Sequence, residues 1–152
     1  MKPKKCLFLL CIIIFLSSAT ACQTALNKTP EETVRNFIKA GTQGDAETFR
    51  ELLDLPDEND AFIKAYMKNY TDIAQKEEFK LEDIAIRVIP EEEFAEGILE
   101  EMENQQGFEP VIVEVTKFDE APLLFLLQNA DQKYYIKNVD TKERYQDIFK
   151  AE

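Results

Sequence analysis

Residues 111–139, VIVEVTKFDEAPLLFLLQNADQKYYIKNV, decide the fold, because they contain three strand-forming segments separated by two short polar connections. Val, Ile, Leu, Phe and Tyr predominate in segments 111–118, 123–128 and 133–139, which is typical of strands. Residues 120–122 and 129–132 have the composition of turns. Because short connections join neighbouring antiparallel strands, this stretch predicts a three-stranded meander.

A fourth strand is predicted upstream of the meander. Residues 84–88 read Ile, Ala, Ile, Arg, Val, and this alternation is the period-two pattern of a strand with one buried face. Phe79 and Leu81 occupy odd-numbered positions, whereas the apolar residues of the strand occupy even-numbered ones, so the two sets cannot share one face of a continuous strand. We therefore expect a bulge or a turn near Glu82, immediately before the strand.

Between these strands, residues 90–106 return to helical spacing. Five apolar residues fall on one side of the predicted helix, and seven glutamates lie mostly on the other side. The apolar residues are Phe94, Ala95, Ile98, Leu99 and Met102. The pattern predicts one acidic helix, although Gly97 weakens it from inside. The glutamates indicate either a solvated helix face or a docking surface for a basic partner.

Three helices are predicted before the sheet. The first begins with Thr29 as N-cap, Pro30 at the first helical position and Glu32 at the third, which is a capping box. Its apolar stripe comprises Val34, Phe37 and Ile38. Gly41 is the predicted C-terminal stop. The second helix runs from about Asp45 to Pro56 with an apolar face.

The third helix is predicted to begin near Asp60, and a last short helix is predicted near the C-terminus. Apolar residues at helical spacing support the third helix: Phe62, Ile63, Tyr66, Met67, Tyr70, Ile73 and Ala74. Residues 140–143 repeat N-cap chemistry before Tyr145, Ile148 and Phe149, so this segment is expected to pack back on the sheet.

Helices followed by an antiparallel meander indicate an α+β fold, with the N-terminal helices packed on one face of a curved, mainly antiparallel sheet of about four strands. We place this single domain at residues 29–152. A chain of 152 residues, with 45% apolar residues, is long enough for one ordinary core.

Two segments near the start of the predicted domain are TPEETVRNF at residues 29–37 and GDAETF at residues 44–49. Together they resemble the opening of nuclear transport factor 2-like domains, and most closely the uncharacterised bacterial lipoproteins of that superfamily. The resemblance implies a cystatin-like α+β cone that encloses a pocket between sheet and helices. Members of the superfamily include small-molecule enzymes, ligand binders and dimerising adaptors, so the resemblance implies a fold and leaves the activity open.

Residues 1–21 have the three zones of a signal peptide. Residues 1–5 are basic, residues 6–16 are an unbroken apolar run, and residues 17–21 are small and weakly polar. As a helix the apolar run reaches only about 17 Å at about 1.5 Å per residue, short of the roughly 30 Å hydrocarbon layer. An uncleaved membrane anchor is therefore the less favoured interpretation.

Cys22 is the predicted lipidation site. Ala19-Thr20-Ala21-Cys22 resembles a bacterial lipobox, in which cleavage between Ala21 and Cys22 leaves a diacylglycerol-modified cysteine as the new N-terminus. The same residues also match the A-x-A site of ordinary signal peptidase, which would give a secreted protein cut at the same bond. The other cysteines, Cys6 and Cys11, lie in the apolar run. We expect a lipid-anchored, extracytoplasmic protein of a bacterial cell membrane, with residues 22–28 as the lipidated tether.

The charge of the mature chain argues against two kinds of partner. Lys2, Lys4 and Lys5 belong to the signal peptide, which leaves 15 basic against 30 acidic residues and a net charge of −15. A protein this acidic repels nucleic acid and anionic lipid head groups. Attachment to the membrane is therefore expected through the N-terminal lipid.

The available side chains narrow the catalytic chemistry. The chain has no His, its serines are Ser17 and Ser18 in the signal peptide, and no cysteine follows Cys22. Catalysis by Ser-His or Cys-His pairs and His-ligated metal sites are excluded from the mature domain. Residues 57–60, DEND, lack the ligand spacing of a calcium loop and favour a helix N-cap. We predict no cofactor, no metal site and no catalytic residue.

The remaining enzymatic alternative is a single buried carboxylate acting as a general base. Asp83, Glu114 and Asp119 are the acids that lie beside strongly apolar strand positions. This alternative requires an acid enclosed in an apolar cavity with a strongly raised pKa. Each of the three is more simply an outward-facing or turn residue.

Six aromatic residues form the candidate ligand pocket, because aromatic rings with polar tips suit amphipathic ligands. They are Tyr66, Tyr70, Phe118, Phe125, Tyr134 and Tyr135. The alternative is that they form plain core. The favoured function is a non-enzymatic domain that binds a small apolar or amphipathic ligand or an envelope protein. The alternatives are the carboxylate enzyme and a homodimeric assembly or stress module with an exposed apolar sheet face.

Overall fold

The computed structural model describes residues 27–55, 59–76, 79–119 and 121–150. The predicted signal peptide, Cys22, most of the tether, and Asp57 and Glu58 lie outside the described residues. In chain order the helices and strands are α1 (Pro30–Gln43), α2 (Ala46–Leu52), α3 (Asp60–Ala74), β1 (Ala85–Val88), α4 (Ile98–Gln106), β2 (Pro110–Thr116), β3 (Leu123–Ala130) and β4 (Lys133–Thr141). Short 3₁₀ helices occupy Leu81–Asp83, Glu91–Glu93 and Lys142–Ile148.

The four strands form one antiparallel sheet in the order β1-β2-β3-β4. This confirms the predicted α+β class and the predicted meander. Strands β3 and β4 extend beyond their predicted ends, and the turn between them shrinks to Asp131 and Gln132. Both residues have positive φ, 53° and 64°, as a type I′ hairpin turn requires.

The start of α1 is confirmed, but its predicted end at Gly41 is wrong. Thr29 Oγ1 accepts a hydrogen bond from the Glu32 backbone N–H at 3.2 Å, with Pro30 at the first helical position. The helix runs on to Gln43, and Gly44, with φ of 74°, is the C-cap. Gly41 is buried inside the helix, where a Cβ would lie 2.8 Å from Tyr70 Cβ. Close approach between α1 and α3 explains this glycine.

The predicted helix over residues 90–106 is wrong as one continuous element. A 3₁₀ turn at Glu91–Glu93 is followed by an extended Phe94, which forms a β-bridge with Phe149, and α4 begins only at Ile98. Gly97, with φ of 78°, is the N-cap residue of α4 and makes the bend that separates the two pieces. A pairing with the C-terminal segment therefore interrupts the helical pattern.

One face of the sheet packs against α1, α2 and α3, as predicted. The core residues here include Val34, Phe37, Ile38, Phe49, Leu52, Ile63, Val113, Val115, Phe125, Leu127 and Ile136. Successive residues of a strand point to opposite faces. Val113 and Val115 therefore point towards the helices, while Ile112 and Glu114 point away from them.

The opposite face of the sheet is covered by α4 and the C-terminal segment. Ile89, Phe94, Ile112 and Leu124 form a second buried cluster, and Leu99, Met102, Leu126, Tyr145, Ile148 and Phe149 pack against it. The predicted last helix is a 3₁₀ helix, Lys142–Ile148, kinked at Tyr145. It packs back on the sheet, as expected.

Candidate functional site

The predicted aromatic pocket is filled by its own side chains at the centre. Tyr70, Phe118 and Phe125 are at most 5% exposed. Phe37 joins them, because its ring centroid lies 5.4 Å from that of Tyr70 and 6.1 Å from that of Phe125. Tyr70 also contacts Phe118 at 5.4 Å. These rings form part of the core between the helices and the sheet.

Tyr66 lies at the edge of this aromatic cluster. Its ring centroid is 5.8 Å from that of Tyr70, and the two rings meet edge to face. Burial raises the pKa of both phenols above their usual value of about 10, more strongly for Tyr70. Both hydroxyl groups are therefore neutral at physiological pH.

The structure does not bring Tyr134 and Tyr135 together at one cavity with the other four aromatic residues. Tyr134 is partly buried on the helix-covered face of the sheet. Tyr135 is its neighbour in β4 and precedes the fully buried Ile136, so it points to the opposite face. The six residues therefore divide between the two faces of the sheet.

A groove of about 440 Å³ lies on the other side of the sheet, between α4 and the C-terminal 3₁₀ helix. We call it the second-face groove. Its floor is formed by Ile112 of β2 and by Leu124 and Leu126 of β3. Met102 of α4 and Ile148 of the 3₁₀ helix contribute to its walls. Apolar side chains from three separate parts of the chain thus meet at this groove.

Polar groups stand at the rim of the second-face groove. Glu101 lies on α4, while Lys137 and Asn138 belong to β4. Lys137 Nζ lies 3.3 Å from Asp54 Oδ2. Asn138 Nδ2 donates a hydrogen bond to the Tyr145 hydroxyl at 3.0 Å. The groove therefore combines an apolar floor with a small number of hydrogen-bonding and charged groups.

A network of four charged side chains lies on the same face of the sheet as the groove. The Glu114 carboxylate accepts hydrogen bonds from Arg87 Nε at 2.7 Å and from Lys142 Nζ at 2.6 Å. Arg87 also donates to both oxygens of Glu93, at 2.6 and 3.0 Å. Arg87 and Glu114 are cross-strand partners in β1 and β2. The network ties the start of the C-terminal 3₁₀ helix to the sheet.

Glu114 does not have the properties that a general base requires. Its burial raises the pKa of the carboxyl group, but the hydrogen bonds from Lys142 and Arg87 outweigh this effect and hold the pKa below its usual value. Asp83 is exposed, and Asp119 pairs with Lys76 Nζ at 3.3 Å. Asp83 and Asp119 are therefore not enclosed, and Glu114 is buried as the partner of two cations.

The described part of the chain contains neither a cluster of metal-binding side chains nor a helix that could span a membrane. Within residues 27–55, 59–76, 79–119 and 121–150, no three acidic or cysteine side chains come together in a way that could hold a metal ion. No helix in these ranges is both long and apolar enough to cross a bilayer.

Sequence reasoning missed the residues of the second-face groove, although one signal was present. Every residue from Leu123 to Leu127 in β3 is apolar. A continuous apolar run indicates a strand that is covered on both faces, whereas a strand with one solvated face alternates. This run therefore carried the information that a second apolar layer lies opposite the helices.

Comparisons with known proteins identify no relative of this chain. No protein-family model, no curated protein and no solved structure matches the chain.

Proposed function

We propose that this chain is a bacterial cell-envelope lipoprotein whose domain is nuclear transport factor 2-like and binds a small apolar or amphipathic ligand without catalysing a reaction. The observation that carries the binding role is the second-face groove, with its floor of Ile112, Leu124 and Leu126. The lipid is attached at Cys22, after cleavage of residues 1–21. The domain thus stands at the outer side of the membrane that anchors it.

The dimensions of the second-face groove support this role. Sites for small molecules are typically about 300–1,000 Å³, mostly apolar, with a few well-placed polar groups. A groove of about 440 Å³ with three aliphatic floor residues and the rim groups Glu101 and Asn138 fits this description. The paired state of Glu114 supports a binding role over an enzymatic one.

The assignment to the nuclear transport factor 2-like superfamily is supported by the roles of the residues that carry the resemblance. Thr29 caps α1, and Asp45 caps α2 by accepting a hydrogen bond from the Thr48 backbone N–H at 3.1 Å. Phe37 and Phe49 stack with ring centroids 4.1 Å apart and hold the two helices together. In this chain aromatic side chains fill the centre of the space between helices and sheet, and the proposed ligand site lies on the opposite face.

Lipid anchoring is tested with one cysteine substitution and one matched control. Cys22→Ala is expected to abolish labelling with radioactive palmitate and to release the protein from membranes. Cys11→Ala keeps the apolar run and should leave the labelling unchanged. Continued labelling of the Cys22→Ala variant would refute the lipoprotein assignment.

Ligand binding is tested with residues 23–152, which retain every packed residue that the structure describes. N-phenyl-1-naphthylamine, a neutral fluorophore, is expected to bind with enhanced fluorescence. Leu126→Glu places a charge in the groove floor and should weaken binding at least tenfold. Phe62→Glu adds the same charge at a side chain that is 54% exposed on α3, and should leave binding unchanged.

Circular dichroism separates loss of the groove from loss of the fold in these variants. If both variants are folded and bind the probe equally, the second-face groove is not the site. Native mass spectrometry of the same protein reports copurified small molecules and subunit number together. A dimer with an empty groove would favour the assembly module instead.

A further inference from the structure

The second-face groove borders the most acidic part of the chain. Residues 90–108 contain seven glutamates and no Lys or Arg. Helix α4, which forms one wall of the groove, belongs to this stretch, and its Glu101 stands at the rim. Glu101 accepts a hydrogen bond from the Gln105 amide at 2.9 Å, and no Lys or Arg of the described residues pairs with its carboxylate. Among the residues that α4 contributes to the groove lining, Glu101 is the acidic one, so this wall carries a negative charge.

The cationic groups near the second-face groove already have acidic partners. At the rim, Lys137 of β4 pairs with Asp54. Lys142, at the start of the C-terminal 3₁₀ helix, pairs with the buried Glu114. These pairings offset the two positive charges locally, so the carboxylate of Glu101 is the charge at the rim that a cationic group would meet.

We propose that the ligand of the second-face groove is a small cationic amphiphile. Its apolar body lies on Ile112, Leu124 and Leu126, and its positively charged head group lies at the α4 wall beside Glu101. This inference rests on the proposed binding function and adds the charge of the ligand to it. The net charge of −15 over the mature chain attracts the same class of molecule from a distance and repels anionic amphiphiles.

The size of the groove favours a small molecule over a basic partner protein. A helix or strand of a partner protein requires an extended surface, and stable protein interfaces bury about 800 Å² on each partner. A groove of about 440 Å³, closed at its sides by α4 and the C-terminal 3₁₀ helix, matches a single short chain with one head group.

The test compares three probes with the same eight-carbon chain and different head groups. Octyltrimethylammonium, octyl glucoside and octyl sulfate are titrated below their micelle concentrations into residues 23–152, and binding is followed by chemical shifts of the Met102 methyl group. The cationic probe is expected to bind at least tenfold more tightly than the anionic probe, with the neutral probe between them. Raising the salt concentration should reduce the difference in affinity between the cationic and anionic probes, because salt screens charge interactions.

Two variants, each of which loses one negative charge, test whether the preference for the cationic probe arises at Glu101. Glu101→Gln is expected to weaken binding of the cationic probe about threefold and to leave the neutral probe unchanged, which is the size of effect of one exposed charge pair. Glu47→Gln removes an exposed carboxylate from α2, on the helix-covered side of the sheet, and should change neither probe. Equal effects of the two variants would overturn a local role for Glu101.

The outcomes separate this inference from the function on which it rests. If the three probes bind equally and Leu126→Glu weakens all of them, the groove binds apolar molecules and the charge preference is overturned. If no probe shifts the Met102 methyl resonance, the binding function itself is overturned, and the charge preference with it.

Discussion

Asn27 and Tyr134 exchange two hydrogen bonds across 107 positions of the chain. The Tyr134 backbone N–H donates to the Asn27 carbonyl oxygen at 3.0 Å, and Asn27 Nδ2 donates to the Tyr134 carbonyl oxygen at 3.2 Å. Asn27 is only 4% exposed. The point where the chain enters the domain is thus held at β4, beside the turn of Asp131 and Gln132.

This contact predicts how the domain is oriented on the membrane if Cys22 carries the lipid. Four residues lie between Cys22 and Asn27, and the five steps of the chain that join them span at most about 17 Å. The turn between β3 and β4 should therefore lie near the lipid surface. Asp119 lies just beyond the opposite end of the sheet, and the eight residues of β3 alone span roughly 25 Å.

The orientation is measured by depth-dependent fluorescence quenching on vesicles. A fluorophore on Asp131→Cys is expected to be quenched strongly by nitroxide-labelled lipid head groups, and a fluorophore on Asp119→Cys weakly. Adding Asn27→Ala removes the side-chain hydrogen bond and should reduce the contrast between the two positions. Equal quenching at both positions in the parent protein would show that the contact does not set the orientation.

Gly41→Ala is expected to lower the free energy of unfolding by about 1–2 kcal/mol. A methyl group at this position meets Tyr70 Cβ and Cγ at 2.8 Å, and overpacking a dense core typically costs about 1–3 kcal/mol. The gain in helix propensity, up to about 1 kcal/mol, offsets part of this cost. Urea denaturation measures the net effect, and near-ultraviolet circular dichroism should show altered packing of the tyrosine.

Gly44→Ala is the matched control for the preceding variant. Gly44 has φ of 74° and open space where the Cβ would lie. This substitution should cost about 1 kcal/mol through backbone strain alone and leave the aromatic signal unchanged. If Gly41→Ala is as stable as the parent protein, the close approach of α1 to α3 does not constrain this residue.

Glu114→Gln is expected to destabilise the protein by about 1–3 kcal/mol at pH 7, because it leaves Lys142 and Arg87 without a buried anionic partner. The pKa of Glu114 is lowered in the folded state, so the folded protein binds fewer protons than the unfolded chain near that pKa. The stabilisation is therefore present above the usual carboxyl pKa of about 4.5 and is lost as the pH falls through the lowered value.

Urea titrations at several pH values test this dependence. The difference in unfolding free energy between the parent protein and Glu114→Gln should shrink as the pH falls from 6 to 3. Glu109→Gln removes an exposed carboxylate and should produce a small difference at every pH. If the difference in unfolding free energy between the parent protein and Glu114→Gln is constant from pH 6 to pH 3, the ion-pair explanation is contradicted.

Phe149→Ala is expected to loosen the C-terminal segment more than the main core. The rings of Phe149 and Phe94 stack with centroids 5.5 Å apart, and the Ala95 backbone N–H donates to the Ile148 carbonyl at 2.9 Å. Hydrogen exchange at the Ala95 amide should accelerate at least tenfold in the variant, while exchange at the Val113 amide should change much less. Similar acceleration at both amides would indicate one cooperative unit instead.

The outcome for α1 illustrates what sequence signals capture. Thr29, Pro30 and Glu32 act within one helical turn, so they mark the start of the helix without help from the rest of the chain. Gly41 and Gly44 are both natural helix ends in the sequence. Only the packing of Tyr70 against Gly41 distinguishes a glycine that permits close approach from one that ends the helix.

The sequence by itself determined the α+β class, the meander and most of the helices, because periodicity, caps and turn residues act over a few neighbouring positions. Tertiary structure alone decided the break in residues 90–106 and the place of the second-face groove. The break depends on the bridge between Phe94 and Phe149, and the groove depends on apolar residues from α4, β3 and the C-terminal segment meeting on one face. The apolar run from Leu123 to Leu127 indicates that a second layer exists, but it does not say which distant residues form that layer, so only the folded arrangement reveals them.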